Sequence, residues 1–213
     1  MKNLQTIADQ VVEVFEELTH ARDQALINAR QLTRKSAHTI RAIHRLEREE
    51  AQSLLAEACE LQHKLNTDLA NYPTLLYAGY TMDAIKEFVE ASITYALIVD
   101  DPLPTPQDLG VEPATYLNGL AEVTGELRRR VLDILRHGYS EEAERLLTIM
   151  DEIYSVLVTI DYPDAITNGL RRQTDLVRGI VERTRGDMTI ALQEERLKQS
   201  MEALQNRLDE ANR

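Results

Sequence analysis

The sequence contains no tryptophan, one cysteine and few aromatic residues, 5% in all. Its first 72 residues hold neither proline nor glycine. The lone Cys59 cannot close an internal disulfide, which fits a reducing compartment. Its flanks, EACE, are acidic and disfavour a reactive thiolate, so a buried structural thiol is expected there. No apolar run approaches the roughly 20 residues that a membrane-spanning helix needs. The opening residues MKNLQTIADQVVEVFEE interleave charge with apolar positions, which leads us to expect neither a signal peptide nor a membrane anchor, and a cytoplasmic location. Positive charge is also scarce: 24 Lys and Arg face 36 Asp and Glu, a formal net charge of −12. That balance disfavours an ordinary nucleic-acid-binding exterior, although a basic groove or cavity can coexist with an acidic surface.

What is present suits long helices. Hydrophobic residues make up 43% of the 213 residues, and Ala, Leu, Glu and Arg dominate. The expected fold class is all-α, a single domain over 1–213 of about six or seven helices. A long first helix is expected from about Leu4 to Leu46, and a second from about Glu50 to Asn71. A third is expected from about Thr74 to Val99, after Tyr72 and Pro73 break the second. The stretch DDPLPTPQDLGVEP, Asp100 to Pro113, carries four prolines and a glycine and reads as a non-helical connection. A fourth helix follows from Pro113 to about His137, and a fifth opens at Ser140 as N-cap and runs to about Ile160. The last helical region starts near Asp164, with a break conceivable at Gly186 and residues 187–213 forming a C-terminal helical extension. Within it Ile190, Leu197, Met201, Leu204 and Leu208 follow coiled-coil spacing, which reads as helix packing within or between subunits.

Two acidic pairs stand out. Glu87 and Glu90 in KEFVE, and Glu122 and Glu126 in AEVTGE, are three and four residues apart, so each pair shares a helix face. Carboxylates without a cysteine or a paired histidine are hard-oxygen ligands, suited to Mg²⁺ or Mn²⁺ and to hydrolysis of phosphate esters. With 36 acidic residues in the chain, such pairs also arise from composition alone.

A basic seam accompanies them. Arg34, His38, Arg41, Arg45 and Arg48 are four, three, four and three residues apart, beside a small or apolar seam of Ala29, Thr33, Ser36, Ile40 and Ile43. Arg171, Arg178 and Arg185 recur every seven residues near the C-terminus, with Arg172 and Arg183 beside them. Such stripes suit phosphate contact more than base reading, since no aromatic residue interrupts the first of them; a solvated face is the competing account. Among the histidines, His44 is given a role in RNA contact, whereas His20, His63 and His137 read as surface or cap residues. Tyr95 and Tyr116 read as core.

Three segments resemble the translin and TRAX (translin-associated factor X) family, on its TRAX-like catalytic branch. They are SAHTIRAIHRLE at 36–47, AIKEFVEASITYALI at 84–98 and TYLNGLAEVTGELRRR at 115–130, and their order matches too. The likeness spans roughly Arg22 to Gly186, with the tyrosine, glycine and TGEL elements of the third segment its most specific part. It implies an all-helical, translin-like bundle that closes into a hollow homo-oligomer or assembles with a translin-like subunit. It also implies Mg²⁺-dependent endonucleolytic cleavage of single-stranded RNA inside that shell, with single-stranded DNA as a further ligand. Carried over by position, the metal-binding and catalytic residues are Glu87, Glu90, Glu122 and Glu126. Glu122 departs from the aspartate common in the family, and Ala37 and His38 stand where a basic pair is usual. The RNA-binding set is Arg34, His38, Arg41, His44, Arg45 and Arg48, with Arg171, Arg172 and Arg178. Two other readings compete. One is a non-catalytic nucleic-acid-binding shell. The other is a helical nucleotide pyrophosphohydrolase, which the 31-residue connection between Glu90 and Glu122 fits less well.

Overall fold

The computed structural model describes residues 3–211, and among them every regular element is a helix. Six are long: α1 (Leu4–His44), α2 (Arg48–Asp68), α4 (Gly79–Val99), α6 (Pro113–Leu135), α7 (Glu141–Val158) and α9 (Leu170–Ala211). Three are single turns: α3 (Pro73–Leu76), α5 (Pro106–Leu109) and α8 (Asp164–Thr167). The all-α expectation and the long first helix hold. At about 1.5 Å per residue, α1 extends for roughly 60 Å. The chain forms two compact units, one ending at Gly119 and the other beginning at Leu120.

In the first unit, α1 buries Ala25, Asn28, Ala29, Leu32, Ser36, Thr39, Ile40 and Ile43, a stripe at helical spacing that contains most of the expected small and apolar seam. It ends at His44, close to the expected Leu46, with neither glycine nor proline to stop it. Yet the chain turns back at Leu46, which adopts a left-handed φ of 61°. The Glu47 N–H donates to the Ala42 carbonyl at 3.0 Å and the Leu46 N–H to the Ile43 carbonyl at 3.0 Å, the pattern usually closed by glycine. Leucine pays about 1–2 kcal/mol for that conformation. Packing offsets it: Ala42 and Ile43 join Ala51 and Ile98 in one core cluster just beside the turn. A larger cluster combines Ala29 and Leu32 from α1, Leu65 from α2 and Leu69 just after it, and Ile85 and Phe88 from α4.

Several expected boundaries move. The third expected helix divides, because Tyr77 and Ala78 leave helical geometry between α3 and α4. The proline-rich connection holds one helical turn, α5, closed by a capping box. Thr105 Oγ1 accepts from the Asp108 N–H at 3.1 Å while the Thr105 N–H donates to Asp108 Oδ2 at 2.9 Å. Proline at the first position of that turn gives up no hydrogen bond, which is why proline density did not preclude it.

In the second unit, Ser140 caps α7 by accepting from the Ala143 N–H at 3.3 Å, with Glu141, Glu142 and Glu144 in the first turn. α7 and α9 pack through Leu146, Met150, Ile153 and Leu157 against a face carrying Val177, Val181 and Met188. Asp151 receives two hydrogen bonds from Arg185, at 2.5 and 2.7 Å. The break in the last region falls at Asn168 and Gly169, both with positive φ, and α9 passes through Gly186 uninterrupted. The extension expected over 187–213 is helical to Ala211; residues 212–213 lie outside the described residues.

Candidate nucleic-acid interface and acidic pairs

α4 carries Glu87 and Glu90 on a helix whose flanking residues Ile85, Phe88, Val89 and Ala91 are buried. Both glutamates are half-buried, one turn apart. α6 carries Glu122 and Glu126, also half-buried and one turn apart. Gln173 Nε2 donates to Glu122 Oε1 at 3.3 Å, and Arg129 Nη1 lies 3.5 Å from Glu126 Oε2. These two neighbours were not foreseen from the sequence. Arg129 carried a signal, its i,i+3 spacing to Glu126, whereas Gln173 lies 51 residues from Glu122 and carried none. Glu87 and Glu90 belong to the first unit, Glu122 and Glu126 to the second. Among the described residues, no group of three or more His, Cys, Asp and Glu side chains is gathered to hold a metal ion. The donor chemistry of the four acids is carboxylate oxygen alone, which fits a hard divalent cation.

The basic seam bends with the chain. Arg34, His38 and Arg41 lie on α1 and His44 ends it, while Arg45 sits in the turn and Arg48 begins α2. One continuous helix face was expected, and the left-handed Leu46 divides it. Arg34, Arg41, Arg45 and Arg48 are exposed, and His38 and His44 are half-buried. Arg41 Nε donates to the Ala37 carbonyl at 3.2 Å, and Arg45 Nε donates to Glu47 Oε2 at 2.7 Å.

Between α1 and α2 lies an open groove of about 660 Å³ lined by Arg34, Lys35 and His38 from α1 and by Glu57, Glu60 and Lys64 from α2. Lys35 pairs with Glu57 at 2.5 Å, and Lys64 with Asp68 at 3.5 Å. Lys35 and Lys64 thus join the basic set. Lys35 was legible beside Arg34, whereas Lys64 reaches the groove only because α2 folds back on α1. Burial, then the cations Arg41, Arg34 and Lys35, hold the His38 imidazole below its ordinary value of 6.5, with Glu50 opposing them.

The C-terminal arginines are exposed, but several face carboxylates. Arg171 lies 3.7 Å from Asp161, and Arg178 lies 3.1 Å from Glu182. Arg172 is exposed on the first turn of α9. Their arrangement follows the competing account of a solvated, charge-paired face as well as it follows phosphate contact. Cys59 is exposed on α2, contrary to the expected buried thiol, because α2 buries Ala51, Ala58, Gln62 and Leu65 and leaves position 59 outward. His20, His63 and His137 are exposed as expected. Tyr95 and Tyr116 are half-buried; the Tyr116 hydroxyl donates to the Pro104 carbonyl at 2.9 Å, and burial pushes its phenol up.

No protein-family model matches the chain. The structure of AfC3PO is 36% identical, with a TM-score of 0.80 over 86% of this chain and 96% of that one. This chain belongs to the translin/TRAX family. A second structure, of AfC3PO in complex with duplex RNA, matches at 36% identity and a TM-score of 0.79. Apo-NeC3PO, at 22% identity, shares the fold with a TM-score of 0.79. Among curated proteins, the uncharacterized protein MJ0175 of Methanocaldococcus jannaschii is 36% identical over 186 residues, which are 86% of this chain and 82% of that protein. Among the described residues, no helix of this family member is long and apolar enough to cross a membrane.

Proposed function

We propose that the chain is a TRAX-like, Mg²⁺-dependent endoribonuclease that acts on single-stranded RNA inside a closed oligomer, formed of copies of itself or with a translin-like subunit. The observation that carries the reading is the 36% identity to AfC3PO, a protein also solved with duplex RNA, in a chain that keeps both acidic pairs. The whole chain acts as one translin-like domain in this proposal, and the single cysteine is consistent with the cytoplasm.

Glu87, Glu90, Glu122 and Glu126 are the proposed oxygen donors to Mg²⁺, with Mn²⁺ as a substitute. The chemistry such an ion supplies when bound is polarisation of the phosphoryl oxygen and activation of water. The protein's own contribution is orientation. Gln173 steadies the Glu122 carboxylate, and Arg129 attracts that of Glu126. Arg34, His38, Arg41, His44, Arg45 and Arg48 hold phosphates along the turn between α1 and α2, and Arg171, Arg172 and Arg178 add cations from α9. Glutamate at 122, where the family commonly has aspartate, favours a second reading, a shell that binds RNA or single-stranded DNA without cleaving it.

Cleavage of a labelled single-stranded oligoribonucleotide by the purified particle, with Mg²⁺ and with chelator, separates the two. Replacing Glu87 and Glu90 by Gln is expected to lower Mg²⁺-dependent cleavage by at least about 100-fold while RNA binding and helix content persist. Unchanged cleavage in that variant rejects the site. Absence of metal-dependent cleavage by the parent protein favours the binding shell. A duplex oligonucleotide run alongside tests the strand preference.

A further inference from the structure

A second cavity, of about 390 Å³, lies in the first unit between the end of α2 and the starts of α4 and α6, and none of the four glutamates of the acidic pairs lines it. Its volume is within the range of small-molecule sites, about 300–1,000 Å³. Leu76, Met82, Ile85 and Val111 give it an apolar floor. Its polar lining includes Asn66, Gln107, Glu112 and Thr115. Thr115 lines the cavity at 4% exposure, and its hydroxyl has no hydrogen-bond partner among the described residues. Glu112 lies three residues earlier, and the Tyr77 hydroxyl donates weakly to its Oε1 at 3.5 Å, holding an exposed aromatic ring at the rim. Among the described residues, the lining contains no Lys, Arg or His.

One wall is fixed in advance. The Gly110 carbonyl accepts from Gln62 Nε2 at 3.0 Å and from Asn66 Nδ2 at 2.9 Å. The capping box of Thr105 and Asp108 holds the turn that leads to it. A buried hydroxyl without a partner costs free energy, which a ligand that supplies the missing hydrogen bond recovers. We infer that this cavity binds a flat, amino-bearing heterocycle of nucleoside size, its ring on the apolar floor and against Tyr77, its N–H edge donating to Glu112 and bonding Thr115. The one charged residue among the described lining is a carboxylate, so a phosphorylated form is disfavoured. The inference does not rest on the nuclease reading, and its test uses neither RNA nor metal.

The test is fluorescence titration of the full chain with 2-aminopurine riboside, whose emission falls when the ring stacks. Saturable quenching is expected, with competition by adenosine and cytidine. Purine riboside, which lacks the amino group, and adenosine monophosphate are each expected to compete about tenfold more weakly, since a missing charge-assisted hydrogen bond or an added like-charge repulsion is of that order. Glu112→Gln, at an exposed position that leaves the fold intact, is expected to weaken binding about tenfold, and Thr115→Val severalfold. Ala70→Phe, which fills the mouth, is expected to abolish it. Absence of saturable quenching overturns the inference. So does equal competition by purine riboside, or binding indifferent to both Glu112→Gln and Ala70→Phe.

Discussion

Gly119 on α6 lies directly against Val89 on α4: a methyl group at Gly119 would fall 2.7 Å from Val89 Cγ1, 2.8 Å from its Cβ and 3.2 Å from the Lys86 carbonyl oxygen. Val89 is fully buried and branched at Cβ, so it has no flexible end to move aside. Glycine in a helix interior otherwise costs about 1 kcal/mol relative to alanine, and Gly119→Ala would be stabilising if helix propensity decided the outcome. Overpacking costs about 1–3 kcal/mol and is expected to win. The urea midpoint should fall with an unchanged slope, and Val89→Ala combined with Gly119→Ala should recover part of the loss, giving a coupling of at least about 0.5 kcal/mol. A raised midpoint in Gly119→Ala would show that the two helices can separate there at little cost.

That glycine was visible in the sequence as part of TYLNGL, but its neighbour Val89 was not, and the same division runs through the whole molecule. Features set by local chemistry were legible. The absence of glycine and proline before Pro73 predicts a very long first helix, and Ser140 followed by acids predicts the start of α7. Features set by packing were not. Leu46 takes a left-handed turn that its own side chain disfavours, because burial of Ala42 and Ile43 beside it outweighs the strain. Gly186 weakens α9 without breaking it, since Val181, Thr184 and Met188 on either side are buried. The acidic pairs show the same limit. Spacing places Glu87 with Glu90 and Glu122 with Glu126 on shared faces, but nothing local to either segment could reveal Gln173 beside Glu122.

Charge in the groove between α1 and α2 offers a direct test of the RNA-binding assignment. Arg34 and Arg41 are exposed on one side of α1, whereas Arg45 donates to Glu47 at 2.7 Å and has part of its charge offset. Arg34→Glu combined with Arg41→Glu is expected to weaken single-stranded RNA binding. It should also flatten the dependence on the logarithm of salt concentration by about 0.7 for each phosphate that the variant no longer neutralises. Arg45→Glu should do less. Reversing Arg171, which faces Asp161 at 3.7 Å, serves as a comparison of the C-terminal stripe. Equal slopes in all variants would remove the groove from the RNA path.

His38 makes the same groove sensitive to pH. In the unfolded chain its imidazole takes up a proton near 6.5, whereas in the folded protein burial, then Arg41, Arg34 and Lys35, postpone uptake to lower pH. Between those two values the unfolded chain binds more protons. Stability is therefore full above 6.5, falls as pH drops below it, and levels off beneath the lowered folded value. Glu50 opposes the shift, and Glu57, Glu60 and Lys64 also line the groove, so the net slope is modest. His38→Gln should flatten the stability profile where pH falls below 6.5. A phosphate entering the groove would favour the charged ring, so RNA binding by the parent protein should take up protons in this window, and binding by His38→Gln should take up fewer. Identical pH profiles for the two proteins would show that another group titrates there.

The tail of α9 calls for a partner. Beyond Met188 none of its described residues is buried, and Ile190, Leu197, Met201, Leu204 and Leu208 are between 55% and 63% exposed. Their spacings of seven, four, three and four residues set them along one seam of the helix. Burying a leucine or methionine side chain contributes about 1.5–3 kcal/mol, so a seam of this length left in water forgoes a large share of what another helix could supply. A second copy of the chain is the simplest source of that helix, given the proposed closed oligomer. Leu197→Glu with Leu204→Glu places two charges at the centre of the seam. Light scattering behind a sizing column should then report a smaller particle at equal protein concentration, with helix content nearly unchanged because both positions are exposed in the single chain. An undiminished mass would mean that the oligomer closes through other surfaces. In that case the apolar residues exposed near the start of α1, Leu4, Ile7, Val11 and Phe15, become the next seam to charge, since they too lie three or four residues apart on one helix face.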